Sequence, residues 1–275
     1  MDMLFKLARK ALTPKVYRAI SASPLGRQAE WAGMGMPKGI WHYYRNQGIG
    51  FRNKTVLEVG GGGKIFTALF FLAAGARRVV LVDPRLKFDE VEWLNCERLF
   101  RISEGCDWEP YHALSKIECY PDLAAVPANF DSGIDVMCSH FVLEHFHDLE
   151  SFFVQNQRLL APTGISHHRV DLTDHTYHVL TKYPLLKRLA AKRSLYHLRY
   201  PDWMFNWLND SKCHMNRKLL PDYLRLAKFH NLAMECVEKR MFPGTRVNPD
   251  LIKRCNPGGP DDLDVADFSM NLAPR

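Results

Sequence analysis

Short apolar runs that end in polar turns recur along the chain and predict buried strands. Residues 56–59 form the first run and lead into glycines 60–63. Residues 78–82 form the second run, which ends at Asp83. Between them, residues 65–74 are almost entirely apolar over a length typical of a helix. Strand, helix and strand in this order predict a parallel βαβ unit, because a right-handed crossover returns the second strand beside the first.

The same succession of apolar segments and polar turns continues towards the end of the chain. It predicts an α/β fold in which helices cover both faces of a doubly wound, mostly parallel sheet. The aromatic-rich region after residue 173 breaks the repeat, so we expect a helical insertion on the substrate side at about residues 176–221. Further helices are predicted at residues 90–101, 149–160 and 222–230, and further strands at residues 134–138, 165–172, 232–239 and 264–272.

The turn after the first strand has the form Glu58-x-Gly60-x-Gly62, which is typical of nucleotide-binding turns. Glycine permits a positive φ and lets the backbone approach a ligand closely. A dinucleotide turn requires a third glycine, and an apolar residue stands at that position, so the pyrophosphate fingerprint is incomplete. A ligand with a ribose diol, bound by Asp83 at the end of the neighbouring strand, fits the pattern better.

A second group of motifs follows the predicted strand at residues 134–138. Ser139 begins a loop that continues to Leu-Glu-His at residues 143–145, and R-x-L-x-P-x-G follows at residues 158–164. Together with the glycine turn, this order of motifs resembles the class I S-adenosylmethionine-dependent methyltransferases. Thr163 stands where that family commonly has glycine.

The resemblance implies a Rossmann-like sheet of seven strands whose last strand is antiparallel. It also implies S-adenosylmethionine as the cofactor, with Gly60 and Gly62 around its methionine part and Asp83 on both ribose hydroxyls. By the same resemblance, Glu58 orients the glycine turn or meets the amino group of the cofactor. Ser139 is a further candidate for cofactor contact.

The chain divides on this basis into an N-terminal helical segment or lid, residues 1–50, and a methyltransferase domain, residues 51–275. Residues 4–20 begin as a basic amphipathic helix. Packing of this helix on the domain is favoured over contact with a membrane surface, because most surface helices carry such a stripe. Trp41, Tyr43 and Tyr44, just before the first strand, are candidates for contacts between the lid and the cofactor pocket.

Methyl transfer to a hydroxyl requires removal of its proton, and histidine is the side chain whose ordinary pKa suits this task near neutral pH. Strand alternation places His167 and His168 on opposite faces of the sheet, so at most one of them points into the site. We rank His175, just past the fifth strand, first as the catalytic base and His145 second. Five histidines crowd the expected site: residues 140, 145, 167, 168 and 175.

The pair Glu144 and His145 also resembles part of the E-x-x-E-H motif of metal-dependent O-methyltransferases of ubiquinone synthesis and of small-RNA 3′ ends. Phe141 occupies the first position of that motif, so one ligand is missing. Glu144, His145 and a downstream His168 or His175 form the predicted ligand set for Mg²⁺ or Mn²⁺. The alternative, in which Glu144 and His145 only line the pocket, stays open.

Three later segments resemble bacterial methyltransferases of surface-polysaccharide and other glycan biosynthesis: residues 168–175, 199–203 and 216–217. This implies O-methylation of a sugar or glycan precursor, with Trp203 and Trp207 stacking on a pyranose ring and Arg169 or Arg217 meeting a phosphate or carboxylate. A small-molecule or glycan acceptor is therefore expected. The alternatives are an O-methyltransferase acting on RNA or on a lipid or quinone, and a non-catalytic protein that binds S-adenosylmethionine.

Composition changes this picture little. The 275 residues carry a formal net charge of +7, which permits an acidic partner. The basic residues are scattered rather than gathered in a tract with interleaved aromatics, so the pattern does not favour a nucleic acid. Seven cysteines without a C-x-x-C pair, and basic residues at positions 6, 9 and 10 that interrupt the first apolar segment, predict a cytoplasmic protein without a signal peptide.

Overall fold

The computed structural model describes residues 34–86, 88–109, 111–173, 195–208, 215–241, 252–253 and 263–275. These residues form a seven-stranded sheet with helices on both faces. The strands are β1 (Thr55–Val59), β2 (Arg78–Val82), β3 (Ile117–Tyr120), β4 (Ile134–His140), β5 (Leu160–Asp171), β6 (Leu232–Met241) and β7 (Val265–Pro274). The helices are α1 (Gly35–Asn46), α2 (Phe66–Ala73), α3 (Glu90–Glu104), α4 (Leu149–Leu159), α5 (Asp202–Leu208) and α6 (Leu220–Phe229).

The strand order β3-β2-β1-β4-β5-β7-β6 confirms the predicted fold. Strands β1 to β5 pair in parallel, and β7 pairs antiparallel with both β5 and β6. The strand order reverses between β1 and β4, and open α/β sheets bind their ligands at such a reversal, outside the carboxyl ends of the strands.

Strand β3 is the one strand of this sheet that the sequence pattern did not predict. It has only four residues, and three of them are partly exposed, so it lacks the apolar run that identifies the central strands. Its neighbour β2 is buried at four of five positions, and β1 at all five. A short edge strand of this kind is recognised only from its pairing with β2.

Two apolar cores lie on opposite faces of the sheet. One joins α1, α2 and α3 to the sheet, and its members include Tyr44, Phe71 and Phe100. The other joins α4 and α6 to the sheet, and its members include Phe152 and Tyr223. Helix α2 is apolar on every side because it lies between the sheet, α1 and α3.

Part of the predicted insertion is described. It contains a 3₁₀ turn, Tyr196–Arg199, followed by α5. The predicted helix at residues 4–20 and His175 lie outside the described residues. Among the helices that are described, none combines the length and apolar character needed to cross a membrane.

Candidate active site

The turn after β1 is built from glycines in the left-handed region. Gly60, Gly62 and Gly63 have φ values of 82°, 72° and 79°, a conformation that residues with a Cβ rarely adopt. A Cβ on Gly60 would lie 2.4 Å from Cγ2 of Val142, whereas a Cβ on Gly62 would meet no heavy atom within 4 Å. Gly60 therefore packs tightly against the loop after β4, and Gly62 faces open space.

Glu58 lies beneath this turn as a buried carboxyl with an unsatisfied oxygen. Its Oε2 has no hydrogen-bond partner among the described residues, and it lies 3.4 Å from the position that a Cβ would take on Gly61. Burial raises the pKa of Glu58 to about 8, the hydrogen bond of Thr67 opposes that rise, and the charge of Asp83 adds to it. Because a buried acceptor without a donor is destabilising, Glu58 is suited to a cationic or N–H group held at the glycine turn.

Asp83 follows β2 and connects it to the glycine turn. Its Oδ2 accepts a hydrogen bond from the Gly62 N–H at 3.0 Å, and its Oδ1 accepts one from the Arg85 N–H at 2.8 Å. The Arg85 guanidinium also lies 3.2 Å from each oxygen. Burial alone would raise the pKa of Asp83, but the bonds and charge of Arg85 and the Gly62 N–H outweigh it, so the pKa lies below its ordinary value. The carboxylate is thus ionised and fixed at the sheet edge, and the exposed Arg85 side chain can yield to the hydroxyls of a ligand.

The loop after β4 lies beside the glycine turn and contains a strained residue. Phe141 has a φ of 58°, which is costly for a residue other than glycine. Its N–H donates to the carbonyl of Arg169 at 2.8 Å, which holds it in place. Val142 then reaches Gly60, and a 3₁₀ turn, Leu143–His145, follows. The Leu-Glu-His motif is therefore placed at the carboxyl edge next to the glycine turn.

Comparison with known proteins identifies the family of this chain. A family model for the methyltransferase domain matches residues 40–232. The chain belongs to this methyltransferase family. It is an S-adenosylmethionine-dependent enzyme, as the glycine turn and the acid after β2 predicted. No curated protein sequence matches it significantly.

Several solved structures are similar to this methyltransferase at low sequence identity. An S-adenosylmethionine-dependent methyltransferase from Mesorhizobium loti is 15% identical, with a TM-score of 0.48 over 84% of this chain and 96% of the other. A geranyl diphosphate C-methyltransferase from Streptomyces coelicolor is 11% identical, with a TM-score of 0.49 over 86% and 77% of the two chains. The YcgJ protein from Bacillus subtilis is 15% identical, with a TM-score of 0.44 over 82% and 94%.

The residues at the glycine turn of this methyltransferase fit its cofactor. The unsatisfied Oε2 of Glu58 suits the ammonium group, the open space at Gly62 admits the methionine part, and the fixed carboxylate of Asp83 suits a ribose diol. When bound, the cofactor supplies an electrophilic methyl group on a sulfonium. The protein must hold that methyl group in line with an acceptor atom and remove the acceptor proton.

Ser139 and His168 point away from this space. The Ser139 hydroxyl is buried 2.7 Å from Nδ1 of His168, and Nε2 of the same imidazole is bonded to Ser166. The ring of His168 also packs edge-on against Phe152, on the α4 face of the sheet. Burial lowers the pKa of His168 well below its ordinary value. The predicted separation of His167 and His168 onto opposite faces is confirmed, and the Ser139 hydroxyl is hydrogen-bonded to His168.

The predicted metal ligands that the structure describes do not form a metal site, and His175, the alternative ligand, lies outside the described residues. Glu144 and His145 are neighbours, with 3.9 Å between Oε1 and Nε2, but both ring nitrogens of His168 are held by serines. Within the described part of the chain, no group of three His, Cys, Asp or Glu side chains could hold a metal ion. The set Glu144, His145 and His168 therefore does not fit Mg²⁺ or Mn²⁺, because a bound imidazole must present a free ring nitrogen.

Glu144 and His145 differ sharply in environment. Glu144 is buried, its Oε2 has no hydrogen-bond partner among the described residues, and burial raises its pKa well above the ordinary value. The side chain of His145 is 37% exposed. The pair therefore combines a buried carboxyl whose pKa is raised with an imidazole that is partly exposed.

On the α1 face, polar side chains at the ends of β4, β5 and β7 lie together. The sequence pattern did not predict the hydrogen bonds among them. The Tyr43 hydroxyl lies 2.9 Å from Nε2 of His167 and 2.6 Å from Oγ of Ser269. Nδ1 of His167 lies 2.7 Å from Oδ1 of Asn271, so this nitrogen donates and Nε2 accepts from Tyr43. Burial lowers the pKa of His167, although Asn271 opposes the shift. Tyr43, predicted as a lid residue, is thus bonded directly to the sheet.

Proposed function

We propose that this methyltransferase transfers the methyl group to a hydroxyl of a sugar or glycan precursor, with a histidine as general base. The observation that carries the proposal is the position of His145. This partly exposed imidazole follows the loop that contacts the glycine turn through Val142 and Gly60. His175, which lies outside the described residues, remains our first candidate for the base, with His145 second.

A base at this edge suits a hydroxyl acceptor. An alcohol must lose its proton as the carbon–oxygen bond forms, whereas a thiol or an amine near neutral pH needs less help. An imidazole that reaches solvent can accept that proton and release it to water. The neighbouring carboxyl of Glu144 is buried, burial raises its pKa, and its Oε1 lies 3.9 Å from Nε2 of His145.

Trp203 supports a sugar as the acceptor. Its side chain is 74% exposed on α5, in the insertion that follows the fifth strand. A tryptophan with this exposure does not belong to the core. Its ring offers a flat apolar surface to the C–H face of a pyranose.

The test separates cofactor binding from turnover. Purified protein is titrated with S-adenosylhomocysteine by calorimetry, and methyl transfer from S-adenosylmethionine is followed on a panel of sugar phosphates, nucleotide sugars, quinone precursors and RNA. We expect turnover on the sugar compounds. Asp83→Ala should lose cofactor binding, while His175→Ala keeps the binding and loses turnover.

Other outcomes would point elsewhere. Turnover on RNA, with binding that weakens steeply as salt rises, would replace the sugar by a nucleic acid. Turnover on the quinone precursors alone would indicate a lipid or quinone acceptor. Binding of the cofactor with no turnover on any class would favour a non-catalytic role. If His175→Ala and His145→Gln both retain full turnover, neither residue is the base.

A further inference from the structure

Two arginines that the sequence offers as ligands for an acidic acceptor group have opposite environments. Arg217 has 3% of its side chain exposed and donates to Asp202 at 3.0 Å, to the Leu198 carbonyl at 3.3 Å and to the Tyr200 carbonyl. It is also held over the ring of Phe205. Arg217 therefore stabilises the insertion from within, and its burial closes it to a ligand.

Arg169 is only partly satisfied. Its side chain is 26% exposed, and its one ion pair within the described part of the chain, from Nη2 to Asp267, is 3.5 Å long. Its Nε has no hydrogen-bond partner among the described residues. A buried N–H of a charged group that lacks an acceptor requires an explanation, such as a bound water, an ion or a role in function.

Aromatic rings hold this guanidinium in a fixed orientation. The Tyr43 ring and the Phe141 ring each lie 5.1 Å from the guanidinium carbon. Phe141 reaches its position only with a φ of 58°, and backbone strain of this kind clusters at functional sites. The chain thus accepts a strained backbone to place a ring against the guanidinium, and an arginine oriented in advance loses less entropy when it binds an anion.

The location is the acceptor side of the carboxyl edge. Arg169 pairs in register with His140, so both side chains project from the same face of adjacent strands. Nδ1 of His140 is a second buried atom without a partner in the described chain. One residue after Phe141, Val142 contacts Gly60 of the cofactor turn. A group bound between Arg169 and His140 would therefore lie close to the site of methyl transfer.

The surrounding carboxylates do not fully neutralise the positive charge at Arg169, which favours binding of an anion. Asp267 contacts two arginines, because Arg240 also donates a hydrogen bond to its Oδ2. The carboxylate of Asp267 therefore neutralises the charge of Arg169 only in part. Among the described residues, Glu238 is a further carboxylate, and its charge acts on Tyr43. It is exposed on the edge strand β6, where solvent screens its charge.

We propose that Arg169, together with His140, forms a subsite for an anionic group of the acceptor, either a phosphate or a carboxylate. This inference rests on the proposed function for the nature of the acceptor, because the anion belongs to the sugar that receives the methyl group. Arginine presents N–H donors in a planar fork that matches both kinds of anion. The acceptor is then a sugar phosphate, a nucleotide sugar or a uronic acid rather than a neutral sugar.

The experiment compares three probes that differ only in the anionic group. Glucose, glucuronate and glucose 1-phosphate are titrated by calorimetry into the protein saturated with S-adenosylhomocysteine. Inorganic phosphate is a fourth probe that lacks the sugar. We expect at least one anionic probe to bind at least about tenfold more tightly than glucose, as one charge-assisted hydrogen bond implies. Whether phosphate or carboxylate is preferred distinguishes the two sources of the anion.

Variants assign the preference to Arg169. Arg169→Gln should abolish it and leave the affinity for S-adenosylhomocysteine unchanged. Arg225→Gln is the matched control, because Arg225 also pairs with a buried aspartate, Asp222, on the α6 side, and its loss changes the net charge equally. If Arg169→Gln does not fold, Arg169→Lys keeps the charge but not the planar fork, and it should weaken the binding of the anionic probe severalfold.

The outcomes separate the two proposals. If no anionic probe binds better than glucose, or if the arginine variants at residues 169 and 225 behave alike, the subsite is wrong. If a neutral sugar is methylated without any preference for an anion, the proposed function stands and the subsite falls. If inorganic phosphate binds and is lost in Arg169→Gln while no sugar is methylated, the subsite stands and the sugar acceptor falls.

Discussion

The carboxyl edge of the sheet has two halves that are held together in different ways. At the ends of β1 and β2, backbone groups close in sequence fix the polar atoms, as when the Gly62 and Arg85 N–H groups bind Asp83. At the ends of β4, β5 and β7, side chains far apart in sequence fix each other. The Tyr43 hydroxyl is 124 residues from His167 and 226 residues from Ser269. The cofactor half therefore depends mainly on backbone groups within one βαβ unit, with one distant contact from Val142 to Gly60, and the acceptor half depends on side-chain contacts between distant elements.

The glycine turn provides the largest predicted effects and a direct test of the cofactor half. Gly60→Ala should destabilise the protein by about 2–5 kcal/mol, because its Cβ would overlap Val142 and its φ is positive. Gly62→Ala has a positive φ but open space, so it should lose only about 1–2 kcal/mol. Its methyl group would instead occupy space intended for the cofactor, and affinity for S-adenosylhomocysteine should fall at least about tenfold.

Urea denaturation gives the free energy of unfolding of both variants, and calorimetry gives their cofactor affinity. The comparison is internal, since each variant adds the same methyl group two residues from the other. Equal stability losses in the two would mean that the contact between Gly60 and Val142 does not constrain the turn. Unchanged cofactor affinity in Gly62→Ala would mean that the cofactor does not pass this residue.

Much of the cofactor half was predictable from the sequence, because its determinants are short-range. Apolar runs identified the buried strands, and the glycines after residue 59 marked a turn that needs positive φ. The acceptor half was predictable only in part. Alternation correctly placed His167 and His168 on opposite faces, but nothing local indicates that Ser139 and Ser166 occupy both nitrogens of His168.

Three further features of the acceptor half depend on contacts that a linear pattern does not contain. Phe141 reads as an apolar loop residue, yet it adopts a left-handed backbone and packs on Arg169. Arg217 reads as an available cation, yet carbonyls of the insertion enclose it. Tyr43 reads as a residue of a loose lid, yet it is hydrogen-bonded to two strands.

The next prediction concerns pH and the buried carboxyl of Glu58. Its pKa is about 8 in the folded state against an ordinary 4.5, so between these values the folded protein holds a proton that the unfolded chain has lost. The contribution of Glu58 to the free energy of unfolding is therefore fully present below pH 4.5. It falls as the pH rises towards 8, by up to about 1.4 kcal/mol per pH unit. Glu58→Gln should remove this part of the pH dependence, so its stability relative to the wild type should increase from pH 5 to pH 7.

Cofactor binding should reverse the same protonation. An ammonium group next to Glu58 favours the ionised carboxylate, so binding of S-adenosylhomocysteine near pH 7 should release a proton. Calorimetry in two buffers of different ionisation enthalpy measures this release, and Glu58→Gln should lose it along with much of the affinity. A wild type that binds without proton release would place the ammonium group elsewhere.

The smallest predicted effect tests whether side-chain contacts really hold the acceptor half. Tyr43→Phe keeps the ring against Arg169 but removes the hydroxyl that satisfies His167 and Ser269, so we expect a loss of about 1–2 kcal/mol in the free energy of unfolding. Tyr44→Phe is the control, because the buried Tyr44 hydroxyl has no oxygen or nitrogen partner among the described residues and interacts instead with the thiol of Cys138, which is a weak acceptor. Its removal should change stability by less than about 0.5 kcal/mol. Since the acceptor half does not fix the glycine turn through this hydroxyl, both variants should bind S-adenosylhomocysteine like the wild type. A Tyr43→Phe variant that loses cofactor affinity while retaining its stability would show that the two halves of the edge are coupled through α1. The two halves would then differ only in how far apart in sequence their contacting residues lie.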